Sequence, residues 1–138
     1  MQTITAPPLT ARPIDAADVR RRIADGQRLV AGGQLEAAAV LIWSAFDAAV
    51  RLSLDELGQQ TNDPIWISET PYGLSAQAVA YGVIDPADRD VLLRFLPMRD
   101  AAAHGSAEAI DADLLQEVCW FAERTLDEMS GSKKSGVQ

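Results

Sequence analysis

The chain has 138 residues, of which 48% are hydrophobic, a size that supports one domain with its own core but hardly two. Its formal net charge of −8 repels phosphate, which argues against a general nucleic-acid binder and leaves only a local patch for such a contact. The single cysteine, Cys119, excludes an internal disulfide and a cysteine-ligated zinc or iron–sulfur site, and its place in VCWF predicts simple burial.

The sequence predicts three segments. Residues 1–14 carry three prolines among threonine and alanine, which is typical of a disordered arm. Residues 15–130 form a single helical domain, and residues 131–138 a flexible polar tail. No uninterrupted apolar run approaches the roughly 20 residues that span a bilayer, and the signal-peptide pattern is absent. We therefore expect a cytoplasmic protein without membrane association.

The first half of the domain reads as two helices and a loop. Asp15 is expected to cap a helix that stops at the Gly32–Gly33 pair. Residues 34–58 predict a long helix with no internal glycine or proline. Residues 60–74 are broken by prolines and a glycine, which predicts a loop with a short extended piece at Ile65 to Ile67.

The second half predicts three more helices. A short helix is expected from Ser75 to about Val83. Asp85, followed directly by a proline, is a strong helix start, and that helix should run to His104. Asp111 opens the last helix. Helices joined mostly by short connections predict an all-α fold, an antiparallel four- to five-helix bundle.

Asp47 interrupts an apolar stripe in the middle of the second helix. This helix is apolar around nearly its whole circumference, which marks it as the central one. A buried lone carboxylate is unfavourable unless it is paired or protonated. One interpretation is an ordinary intrahelical pair with Arg51, one turn later. The other is a pair with Arg99 of the fourth helix.

Arg99 interrupts the apolar face of the fourth helix in the same way. Leu92, Phe95 and Leu96 lie within about 60° of it by helical geometry. Its stem could pack on apolar surface while the head reaches water. Alternatively, a carboxylate or a phosphate holds the guanidinium in a partly buried place, with Asp47 as the expected internal partner.

His104 is the only histidine, five residues after Arg99. An ideal helix would put the two side chains about 140° apart and about 7.5 Å apart along the axis. Gly105 is expected to let the chain turn and free His104 at the helix mouth. The alternative is an ordinary helix ending, in which the helix dipole favours a histidine in the last turn.

The segment RDAAAHG resembles the motif of the HEPN family of small helical-bundle domains. That motif is an arginine, a polar residue, three further residues and a histidine at the end of a late helix, here Arg99, Asp100, Ala101 to Ala103 and His104. WSAFDAAVR is similar to the family's second long helix, which frequently carries an acidic residue, here Asp47. With the approach GVIDPADRDVLLRFLP, the resemblance covers roughly Ala16 to Met129. Ser106 stands where one branch has a tyrosine, so the resemblance does not extend to that branch.

The resemblance implies a metal-independent endoribonuclease without a cofactor, in which the ribose 2′-hydroxyl attacks the neighbouring phosphate. His104 would be the acid or base, Arg99 the phosphate clamp, and Asp47 the group that orients either of them. Asp100 would position Arg99, unless it is simply a solvated acid. One histidine cannot easily be both acid and base in one step, and the family's symmetric homodimer supplies a second copy.

RNA would need local cations on this acidic chain. Arg20 and Arg21, in a run of three arginines, and Arg51 are the candidate RNA contacts. The alternative is a solvated face, because consecutive helical residues point in different directions. We expect a toxin or defence effector, with an antitoxin or a nucleotidyltransferase as a possible partner. The alternative function is a non-catalytic HEPN-type dimer that binds a nucleotide or a partner protein.

Overall fold

The computed structural model describes residues 13–105 and 110–129. Its helices in chain order are α1 Ala16–Ala31, α2 Leu35–Thr61, α3 Pro71–Ala80, α4 Arg89–Ala103 and α5 Ala112–Asp127, with a 3-10 turn at Pro86–Asp88 before α4. No strand occurs in these residues, which confirms the predicted all-α bundle. Most of the predicted arm (1–14), the predicted tail (131–138) and Ser106 lie outside the described residues.

Two helices begin where their capping residues predict. Asp15 accepts a hydrogen bond from the Asp18 backbone, and the Asp18 carboxylate accepts one from the Asp15 backbone. Asp111 caps α5 by accepting from the backbone of Asp113 and Leu114. The turn after α1 contains Gly33 at φ 78°, a left-handed conformation that favours glycine. These local signals therefore set the ends of α1 and the start of α5.

The structure differs from the prediction around α3. The helix begins at Pro71 rather than Ser75, and the Thr70 hydroxyl caps it by accepting from the Gly73 backbone. A proline at the first helical position is favourable because its missing N–H has no intrahelical partner there. Gly73 is required by close packing, since a Cβ would lie 2.2 Å from the Ser68 hydroxyl. Residues that indicated a loop thus form the first turn of a helix.

The loop before α3 contains no strand at the predicted extended piece. Instead, one side chain holds its backbone: the Gln77 amide donates to the Trp66 carbonyl and accepts from the Ser68 N–H, both at 2.6 Å. Arg51 of α2 donates to the Ser68 carbonyl at 3.1 Å. We call residues 65–68 the strap, because these hydrogen bonds hold it to Arg51 of α2 and to Gln77 of α3.

Side-chain contacts show that α1 and α2 run in opposite directions. Gly26 of α1 lies against Ile42 of α2, whereas Arg22, one turn earlier, donates to the Ser44 hydroxyl at 2.7 Å. The short turn at Gly32–Gly33 is long enough for this reversal.

The same kind of contact orients α4. Trp43 of α2 stacks on Phe95 of α4, with ring centroids 6.1 Å apart. The start of α4 lies by the end of α5, where Arg124 pairs with Asp88 at 2.9 Å. After α4, the chain returns at Ile110 beside the start of α2. The start of α4 thus lies by the end of α5, and its end lies by the start of α2. Because the ends of α2 and α5 lie together, lining one pocket, α4 runs antiparallel to both helices.

α2 forms the centre of the core. By length and composition it is apolar enough to cross a membrane, and 56% of its most apolar window is buried inside the fold. The central helix of a bundle meets the same criteria. Its fully buried side chains include Ile42, Phe46, Val50 and Leu54, which pack among buried residues of the other helices.

Gly26→Val tests the close contact between α1 and α2. We expect it to lower the free energy of unfolding by about 1–3 kcal/mol, because overpacking forces neighbours to move. A Cβ at this position would lie 2.7 Å from Ile42 Cγ1. Ala17→Val, at an exposed site of α1, is the control and should cost about 0.5 kcal/mol. Urea unfolding followed by circular dichroism measures both, and equal losses would contradict the packing described.

Candidate functional site

Asp100 connects the two motif residues at the end of α4. Its carboxylate accepts from Arg99 Nη1 at 2.7 Å, and its backbone carbonyl lies 2.8 Å from His104 Nδ1. One residue thus holds the arginine with its side chain and the histidine with its main chain. We call Arg99, Asp100 and His104 the α4-end site.

Arg99 is partly buried and incompletely bonded. Its side chain is 27% exposed, and Asp100, its ion-pair partner, is 46% exposed. The Arg99 Nε atom is buried and has no hydrogen-bond partner among the described residues. A buried donor without an acceptor loses its hydration without compensation. Arg99 is therefore held partly buried with one donor unsatisfied, rather than extended freely into water.

His104 is exposed, yet it is bonded to its own helix. Its backbone N–H reaches the Asp100 carbonyl at 3.1 Å, and the left-handed turn begins only at Gly105, with φ 75°. We expected Gly105 to let the chain turn and free His104 at the helix mouth. The chain does turn at Gly105, but His104 is the C-cap, the ordinary helix ending that the sequence left open.

The ring contact sets the proton position on His104. A carbonyl oxygen only accepts, so Nδ1 must carry the hydrogen in the 2.8 Å contact with Asp100. In the neutral ring, Nε2 then holds the lone pair. The ring is thereby prepared to take up a proton at Nε2.

Arg99 and His104 do not share a face within one chain. The helix continues through Ala103 without interruption at Pro97, so the ideal separation of about 140° and about 7.5 Å applies. Asp100 contacts each of them through a different group, its carboxylate and its carbonyl. A single site that used both side chains would draw one of them from a second copy.

Asp47 does not join the α4-end site. It pairs with Arg51, whose Nε lies 3.1 and 3.2 Å from its two carboxylate oxygens, and within the described residues no ion pair links it to Arg99. The physical reason is helix direction. Asp47 follows Trp43 by one turn and Arg99 follows Phe95 by one turn, and in antiparallel helices these steps lead apart, to about 12 Å along the axis. The intrahelical pair left open by the sequence is the arrangement found.

The predicted RNA contacts are also paired. Arg20 donates to Asp127 at 2.8 Å, Arg21 bonds Asp18, and Arg51 bonds Asp47. Arg20 and Arg21 lie near the start of α1, at the end of the bundle opposite the α4-end site. Each already pairs with a carboxylate, and both interpretations of Arg20 and Arg21, RNA contact or solvated face, stay predictions.

Cys119 is buried, as predicted. Burial, with a smaller contribution from the nearby Glu123, raises the pKa of its thiol to about 12. The thiol therefore stays protonated at neutral pH and is a poor nucleophile. Among residues 13–105 and 110–129, no group of three or more histidine, cysteine, aspartate or glutamate side chains is placed to hold a metal ion.

Comparison with protein-family models, curated proteins and solved structures finds no match to this chain. The resemblance to the HEPN family therefore stays a prediction, and it depends on the motif at the end of α4.

Two features were missed by sequence reasoning. The first is the double role of Asp100, which depends on a backbone carbonyl that any residue would supply. The second is Arg22, the third arginine of the run from which only Arg20 and Arg21 were named as candidate contacts. Its spacing to Val19 and Gly26 places it at the edge of the buried face of α1, and that signal was available.

The proton position on His104 can be measured directly because the chain has a single histidine. We expect the neutral ring to carry its hydrogen on Nδ1, since the Asp100 carbonyl accepts from that atom. Nitrogen-15 chemical shifts of the imidazole, recorded above the pH at which the ring loses its charge, distinguish the two tautomers. A dominant Nε2–H form would show that the contact with Asp100 does not persist in solution.

Proposed function

We propose that this protein is a cytoplasmic, homodimeric, metal-independent endoribonuclease of the HEPN type, with the α4-end site as its active site. It would act as a toxin or defence effector, kept in check by an antitoxin or a nucleotidyltransferase. The observation that carries the proposal is the arrangement around Asp100: a guanidinium and an oriented imidazole, the two groups that the reaction needs, are held by one residue.

The reaction matches these groups. The 2′-hydroxyl forms a bond to the adjacent phosphorus and the bond from phosphorus to the 5′-oxygen breaks, leaving a 2′,3′-cyclic phosphate and a 5′-hydroxyl. Nε2 of one His104 takes the 2′-hydroxyl proton, and a protonated His104 from the second copy gives a proton to the leaving oxygen. The Arg99 guanidinium stabilises the charge that develops on the phosphate oxygens.

A two-fold dimer supports this use of the residues. Arg99 and His104 point in different directions on one helix, so apposing two α4 ends is the simplest way to converge them. Each protomer then supplies one imidazole, and the pair provides both a base and an acid.

The Arg99–Asp100 ion pair favours a second candidate. If Asp100 holds Arg99 permanently, the guanidinium stabilises the fold and is not free for phosphate. The protein would then be a non-catalytic dimer that binds a nucleotide or a partner protein. One experiment separates the two candidates.

Wild type and His104→Ala are expressed in growing cells, and total RNA is mapped for new 5′-hydroxyl ends. We expect the wild type to produce such ends and to slow growth. The His104→Ala variant should lower cleavage by about 100-fold or more, because it removes the proton-transfer group. Purified wild type should cleave RNA in the presence of EDTA, and sedimentation should show a dimer.

Arg94→Ala is the matched control, since Arg94 is an exposed arginine of α4 outside the α4-end site. It should cleave RNA as the wild type does. Intact RNA with abundant wild type would remove the ribonuclease proposal, and equal cleavage by His104→Ala would remove His104 from the site. A purely monomeric protein would contradict the composite site.

A further inference from the structure

A cleft lies between α1, α2 and the strap, away from the α4-end site. Its volume is about 330 Å³, and its apolar lining includes Ile14 before α1, Ala48 and Leu52 on α2, and Ile67 of the strap. This size is at the lower end of the range for small-molecule sites, which are mostly apolar with a few convergent polar groups. We call it the α1–α2 cleft.

Arg22 is the arginine of the cleft that lacks a charged partner among the described residues. Among the half-buried arginines of the described chain, Arg51, Arg99 and Arg124 each pair with a carboxylate. Arg22 also lines the cleft, and within the described residues its guanidinium bonds only the neutral Ser44 hydroxyl, at 2.7 Å. Its positive charge is thus the one among these four without an anionic partner in the part of the chain that the structure describes.

The other charged groups of the cleft limit the ligand to a single negative charge. Asp47 is neutralised by Arg51. Asp55 is also in the lining, but it lies eleven residues beyond Ser44, about 16 Å along the helix axis from the Arg22 head. An anion at Arg22 is therefore well separated from Asp55, whereas a dianion would exceed the one uncompensated cation.

The cleft is elongated and partly pre-organised. Ser44, Ala48 and Leu52 follow one another at one-turn spacing, so the apolar floor extends away from the Arg22 head. The strap that carries Ile67 is fixed by the Gln77 amide and by Arg51. A wall that is ordered before binding lowers the entropic cost of binding a ligand.

We propose that the α1–α2 cleft binds a small organic monocarboxylate with an extended apolar body. The carboxylate pairs with the Arg22 guanidinium, and the apolar body lies along Ala48, Leu52 and Ile67. Arginine suits this role because its planar fork matches a carboxylate with two parallel hydrogen bonds. The site is distinct from the α4-end site, and the proposal does not depend on ribonuclease activity.

Hexanoate is the test ligand, added to the full-length nitrogen-15-labelled protein and followed by amide chemical shifts. We expect shifts at Ala48, Leu52 and Ile67. Arg22→Gln should weaken hexanoate binding about tenfold, since a charged hydrogen bond is lost. The neutral analogue 1-hexanol should bind the wild type more weakly than hexanoate by a similar factor.

Arg28→Gln is the matched control, because Arg28 is an exposed arginine of the same helix outside the cleft. It should bind hexanoate as the wild type does. Three results would overturn the proposal: no shifts at the cleft amides, equal binding of hexanoate and 1-hexanol to the wild type, or unchanged hexanoate affinity in a folded Arg22→Gln variant. The comparison with 1-hexanol needs no variant and stands even if Arg22→Gln fails to fold.

Discussion

The burial of α2 is the constraint on which the rest of the structure depends. This helix carries apolar side chains around most of its circumference, so it is stable in water only if neighbours cover it. α1, α4 and α5 provide that cover, and their own apolar faces are buried in the same step. The direction of each neighbour against α2 then decides which polar residues meet.

Antiparallel packing of α4 on α2 separates the polar residues into two places. The stacked rings of Trp43 and Phe95 form the pivot, and the polar side chains one turn beyond them lie on opposite sides of it. Asp47 therefore falls in the α1–α2 cleft with Arg51, and Arg99 falls at the end of α4 with Asp100. The Asp47 carboxylate and the Arg99 guanidinium, which the sequence suggested as one ion pair, are each paired within their own helix.

Local pairing also shapes how this acidic protein presents its cations. Six of the nine described arginines pair with a neighbouring carboxylate: Arg20, Arg21, Arg28, Arg51, Arg99 and Arg124. Pairing of this kind reduces the positive charge that the described surface presents to a long polyanion. Two partly buried guanidinium groups depart from full pairing. Arg99 keeps an unsatisfied Nε beside its ion pair with Asp100, and Arg22 has only a hydroxyl partner among the described residues.

The sequence by itself determined the helical class, the central place of α2, both ends of α1 and the start of α5, because apolar periodicity and capping side chains act over a few residues. It also singled out Arg99, Asp100 and His104 as neighbours along one helix. It misplaced the start of α3, where Thr70 and Pro71 form a cap that resembled a loop. Only the tertiary structure decided that Asp47 and Arg99 stay apart and that Arg22 faces a cleft. Those outcomes depend on the direction in which the helices pack, which no pattern of side-chain types along one helix encodes.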